Sequence, residues 1–130
     1  MSARDEDASA TDAIASAFFA AIERGDLAAV RELYSPAVAV WHNVTSRTQT
    51  RDENLALLKF FTGRVSERRY EVLAREFFPG GFVQRHVLHG KLASGEVVAA
   101  PVCLVVHVDA GRIVRLYEYL DPATVRAAFA

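Results

Sequence analysis

Apolar side chains recur every three or four positions through the first half of the chain and every second position through the last, so the sequence predicts helices followed by strands. Ser9-x-x-Asp12 has the form of a capping box, and Ile14, Phe18, Ala21 and Ile22 lie behind it on one helical face until Gly25. Asp26 caps a shorter second helix whose apolar face is Leu27, Val30, Leu33 and Tyr34, ending before Ser35-Pro36. Val38 to Val44 is rich in strand formers, and Thr45 to Thr50 is polar and turn-like. Thr50-x-x-Glu53 repeats the capping-box pattern and opens a third helix with Leu55, Leu58 and Phe61, up to Gly63.

Four alternating runs follow, near 67–78, 82–92, 96–108 and 112–120. Their separators, Pro79-Gly80-Gly81, Ser94-Gly95 and Asp109-Ala110-Gly111, are short enough for hairpins, which predicts an antiparallel meander. Asp121-Pro122 then offers a cap followed by proline at the first helical position, predicting a short closing helix from Ala123 to Phe129. Residues 1–8 read as a disordered tail and 9–130 as a single domain. The predicted class is α+β, with three N-terminal helices covering one face of a curved, mostly antiparallel sheet. Helices close only part of such a sheet, so a conical apolar pocket is expected beneath them.

Composition narrows the function classes. The 130 residues are 52% hydrophobic and 24% charged, the balance of a folded domain. A net charge of -1 leaves no positive excess for a polyphosphate, which argues against nucleic-acid binding. The single cysteine, Cys103, excludes an internal disulfide, and no paired Cys/His spacing announces a metal site. No apolar run reaches the roughly 20 residues of a membrane span, and the acidic start lacks the basic flank of a secretory signal, so a cytoplasmic protein is expected. Without a glycine-rich phosphate loop or a G-x-S-x-G elbow, no cofactor is expected.

Polar residues on apolar faces carry the candidate chemistry. In the last strand Val114, Leu116, Glu118 and Leu120 share one face, which places a carboxylate among aliphatic side chains. Left unpaired it costs several kcal/mol, on the order of any buried charge, and desolvation would raise its pKa toward neutrality. Trp41-His42-Asn43 ends the first strand, where alternation admits either Trp41 and Asn43 or His42 to the cavity. In the run from Phe82, the set Phe82, Gln84, His86 and Leu88 is expected inward, with Arg85, His89 and Lys91 outward.

The segments Phe19 to Leu27, Leu33 to Val38 and Gly111 to Val114, in this order of elements, resemble the nuclear transport factor 2-like superfamily, and within it the SnoaL-like group related to polyketide cyclases, ketosteroid isomerases and limonene-epoxide hydrolases. The resemblance spans nearly the whole chain and implies a cone-shaped α+β barrel, commonly dimeric. The isomerase positions are held here by Phe18, His42 and either Cys103 or Leu104, so that triad is absent. Of the epoxide-hydrolase set, Asn43 matches the asparagine, Trp41 replaces the tyrosine, Arg85 falls near the arginine, Val87 near one aspartate, and Glu118 stands for the other.

The expectation is an enzyme performing acid/base chemistry of isomerase, cyclase, dehydratase or hydrolase type on a small hydrophobic, oxygenated substrate. Glu118, His42 and His86 are the candidate proton carriers. Asn43 and Gln84 would orient an oxygen or a water, and Trp41, Phe18, Leu116 and Leu120 would form pocket walls. The competing expectation is a non-catalytic ligand-binding or interaction module of the same fold. Val105, His107, Ile113, Tyr117 and Tyr119 are expected on the convex sheet face, too aromatic for plain solvent, which suggests a homodimer through that face.

Overall fold

Helix α1 spans Ala3–Glu23 in a computed structural model that describes residues 2–129. It starts earlier than its periodicity predicts, because Ser2 and Asp5 make the capping box expected of Ser9 and Asp12. Residues 3–8 of the supposed tail are therefore helical. Asp12 is free for another task and reaches across to Arg75 at 2.7 Å. Helix α2 is Leu27–Leu33, capped by Asp26 as expected. Tyr34 caps the end of α2, its backbone N–H donating to the Val30 carbonyl, and at the same time opens strand β1 (Tyr34–His42).

The segment read as a turn contains a three-residue strand, β2 (Arg47–Gln49), and leads to α3 (Arg51–Arg64) under the Thr50/Glu53 capping box. Strands β3 (Val65–Phe78), β4 (Gly81–Leu92), β5 (Val97–Asp109) and β6 (Arg112–Leu120) form the predicted meander. Asp121 caps the C-terminal segment, but two 3₁₀ turns, Pro122–Thr124 and Arg126–Phe129, replace the single closing helix. Phe129 there stacks on Phe60 and Phe61 of α3 with ring centroids 6.2 and 6.0 Å apart.

The six strands lie in the order β2-β1-β6-β5-β4-β3, and the fold is an α+β domain with a mostly antiparallel curved sheet. Only β1 and β6 run parallel, an arrangement that sets the first and last strands of the chain side by side within the sheet. The concave face packs on the helices through Phe18, Phe19 and Ile22 of α1, Phe61 of α3, and Phe82, Leu104 and Leu116 of the sheet. Arg68 joins the layers: its guanidinium donates to the carbonyls of Ile22 and Glu23 at the end of α1 and of Thr62 in α3, supplying donors that the helix ends lack. Ile113 is fully buried in this core, not on the convex face as expected. A register shift between His107 and Val108 reverses the alternation on the way into β6.

Candidate active site

The register of the parallel pair sets the centre of the site. His42 and Glu118 are partners across β1 and β6, both on the concave face, and His42 Nε2 lies 3.6 Å from Glu118 Oε1. Both side chains form part of the walls of two hollows. The outer one is a cavity of about 450 Å³ between the C-terminal turns and the β1–β2 connection, lined by Val44, Leu57, Leu120, Val125 and Phe129 among others. The inner one, under α1, is a chamber of about 50 Å³ bounded by Phe18, Tyr34, Tyr70, His86 and Leu116 among others. The two residues thus stand between an apolar vestibule and a small chamber with several polar tips.

Burial tunes these groups in the direction proton transfer needs. The Glu118 carboxyl is pushed up to about 7 by desolvation, although its side chain keeps 28% exposure toward the hollows. Burial lowers His42, so the imidazole is neutral beside a carboxyl that ionises near neutral pH. His86 is pushed down to about 4, first by burial and then by the charge of Arg75. The hydroxyls of Tyr34 and Tyr70 are raised, mainly by burial and further by the Glu118 charge, and stay protonated. They are hydrogen-bond donors, not bases.

Second partners hold the chamber walls. Tyr34 Oη donates to Asn54 Oδ1 at 2.7 Å, and Asn54 Nδ2 donates to Gln49 Oε1 at 3.0 Å, so α3 and β2 orient a hydroxyl on β1. Gln84 is wholly buried and bonds His86 Nδ1 at 2.9 Å and Arg75 Nε at 2.7 Å. Gln84 and His86 therefore face inward, and Arg85 is exposed on the convex side, away from the place that the epoxide-hydrolase resemblance implied for it. Of the sequence-predicted residues, the fold gathers Glu118, His42, His86, Phe18 and Leu116 at the chamber and Leu120 at the vestibule.

Three assignments are corrected. Trp41 is not a pocket wall: it points to the convex face and packs on Tyr117 and Tyr119, with ring centroids at 6.2 and 5.2 Å. Asn43 is not free to orient substrate, because both ends of its amide bond the backbone of Leu120. Gln84 reaches no cavity and acts on His86 instead. Tyr34, Tyr70 and Asn54 were missed by the sequence reading. Asn54 carries a usable signal, a polar residue in helical spacing with Leu58 and Phe61. Among the described residues no group of three or more His, Cys, Asp or Glu side chains is placed to hold a metal ion.

Residues 15–116 match the family model of the SnoaL-like domain. The chain belongs to the SnoaL-like family. No curated protein sequence matches it. Solved structures similar to this SnoaL-like chain include IdmH, a putative polyketide cyclase from Streptomyces antibioticus, with TM-score 0.80 and 18% identity over 92% of this chain and 97% of that one. An LEH-like epoxide hydrolase from M. tuberculosis aligns with TM-score 0.78 and 20% identity, over 95% of this chain and 90% of that one. A hypothetical protein with a ketosteroid isomerase-like fold from Catenulispora acidiphila, in complex with trimethylamine, aligns with TM-score 0.77 and 14% identity over 88% of this chain and 90% of that one. At these identities the likeness establishes a nuclear transport factor 2-like fold, on which chemistry varies from member to member.

Proposed function

We propose that this SnoaL-like chain is an enzyme carrying out acid/base chemistry of isomerase, cyclase, dehydratase or hydrolase type on a small hydrophobic molecule with an oxygen function. The observation that carries the reading is Glu118: a carboxyl pushed up to about 7, in the wall of a cavity of about 450 Å³, with His42 at 3.6 Å. Near neutral pH it exists in both protonation states, so the carboxylate takes a proton from a substrate carbon or a water and the acid returns it. The aliphatic and aromatic walls of the vestibule suit an apolar body. His42 and the tyrosine hydroxyls supply polar contacts at its inner end.

Glu118 locked to an arginine, in a cone filled by side chains, would favour a binding module without chemistry. Among the described residues Glu118 has only the neutral imidazole of His42 close to its carboxyl, at 3.6 Å, and an open cavity adjoins it, which favours the enzyme. The test is turnover of a panel of hydrophobic carbonyl, hydroxy and epoxide compounds by wild type and Glu118→Gln. A loss on the order of 100-fold or more in the variant is expected for a general acid/base. Turnover indifferent to the substitution overturns the reading.

The convex face supports a second element of the proposal, a twofold contact with another copy of the chain. Leu73 and Tyr119 keep 52% and 46% of their surface there, beside Trp41, Val105 and Tyr117. Contact through that face leaves both vestibules open.

A further inference from the structure

Asp12, Arg75, Gln84 and His86 form an unbroken line of side chains from the surface of α1 to the inner chamber. Asp12 Oδ1 accepts from Arg75 Nη1 at 2.7 Å, and Ser16 Oγ holds the same Nη1 at 3.1 Å. Arg75 Nε donates to Gln84 Oε1 at 2.7 Å, and Gln84 Nε2 lies 2.9 Å from His86 Nδ1. Chemistry orients every link. An arginine Nε only donates, so the glutamine oxygen must face it. The amide NH₂ is thereby turned to His86, and because that group only donates, Nδ1 has to be the acceptor.

We infer that this line fixes His86 as a neutral imidazole with its proton on Nε2, making it a hydrogen-bond donor to an oxygen bound in the inner chamber, and that Gln84 and Arg75 are positioning residues for it. Nε2 lies on the opposite edge of the ring and bonds no group among the described residues. Phe19 and Tyr70 pack edge-to-face against the ring, with centroids at 5.5 and 5.0 Å, and prevent it from flipping. The charged and titratable groups around His86 are Arg75 and Tyr70 from β3, Tyr34 and His42 from β1, and Glu118 from β6. Its low pKa, set first by burial and then by the Arg75 charge, agrees with a neutral ring. His86 is then no proton carrier. It stabilises negative charge that develops on a substrate oxygen while Glu118 moves the proton. The catalytic part of this inference rests on the function proposed above, and the tautomer does not.

Long-range proton–nitrogen NMR of the imidazole side chains decides it on the folded chain without any substrate. In the wild type, His86 should show a protonated Nε2 and a bare Nδ1 unchanged from pH 5 to 8. In Gln84→Glu the new carboxylate accepts from both neighbours, so Nδ1 should gain a proton and the His86 midpoint should rise by about one to three units. Arg75→Met frees the amide to turn and should give a mixture of tautomers. A wild-type ring protonated at Nδ1, or titrating near its ordinary value, overturns the inference even where the variants fail to fold. So does a tautomer that both substitutions leave unchanged. If the NMR result holds and Glu118→Gln keeps full turnover, only the function fails.

Discussion

Asn43 bonds both backbone groups of Leu120 with the two ends of its side-chain amide, Nδ2 donating to the carbonyl and Oδ1 accepting from the N–H, each at 3.0 Å. Its own backbone N–H donates to the carbonyl of Glu118 at 3.0 Å. A side chain thus extends the parallel ladder beyond the last residue of β1, and the rung fixes the strand ends on which His42 and Glu118 stand.

Asn43→Ala removes two side-chain bonds and should destabilise the chain by about 2 kcal/mol, at roughly 1 kcal/mol for each. Asn43→Asp keeps the acceptor half but sets a carboxylate oxygen against the Leu120 carbonyl, so it should lose at least as much. Urea unfolding measures both, and an alanine variant as stable as wild type would show that the rung holds nothing.

Glu118 makes stability fall as pH rises. Its folded value near 7 lies above the ordinary 4.5, so the unfolded chain releases this proton first and the native state bears the cost of ionisation above that range. The cost develops between about pH 4.5 and 7 and is complete above it. Glu118→Gln should therefore be more stable than wild type at pH 8, by on the order of 2–3 kcal/mol, and similar to it at pH 4. Equal unfolding midpoints at both pH values would contradict the assignment.

His86 acts with the opposite sign in nearly the same window. Its folded value of about 4 lies below the ordinary 6.5, so acidification charges the unfolded chain first and stability is lost as pH falls from about 6.5 toward 4. The lowered His42 adds in the same direction. With Glu118 present the Glu118 and His86 trends offset each other, and the wild-type profile from pH 4.5 to 6.5 should keep only the gentle rise that His42 contributes. Glu118→Gln should steepen that rise by up to about 1.4 kcal/mol per pH unit. Denaturation series at half-unit intervals give this slope, and a variant profile as flat as wild type rules out the compensation.

The convex face predicts a dimer near twice 14.3 kDa. Light scattering at micromolar concentrations should return that mass, and Tyr117→Asp, placed next to Trp41 and Tyr119, should return the monomer. A wild-type monomer throughout that range refutes the twofold contact.

What the sequence revealed divides along the range of the interactions involved. Glu118 and the Gln84/His86 pair were legible because alternation within one strand marks a polar residue on an apolar face. Trp41, His42 and Asn43 were not resolved, since the face each presents depends on β1 pairing with β6, a partner distant in sequence. Ile113 was misplaced because one shift in the ladder reverses the sides. Tyr34 reads equally well as the last apolar residue of α2, and only its burial at the start of β1 makes it a chamber hydroxyl. Of the relay to His86, Asp12 was read as a helix cap. The true cap lies a few residues earlier in the same type of motif.

The parallel pairing of β1 with β6 also sets when the site can exist. Asn43 and Leu120 are 77 residues apart, so the rung that aligns His42 with Glu118 closes a loop spanning more than half the chain. Contacts of such separation come late in folding because the entropy of closure must be met first. During synthesis β1 leaves the ribosome with its site-bearing edge unpaired, and it stays so through the emergence of β3, β4 and β5. The candidate site is thereby coupled to the arrival of β6: a nascent or truncated polypeptide lacking it carries the sequence of α1, α2 and α3 yet cannot set Glu118 beside His42.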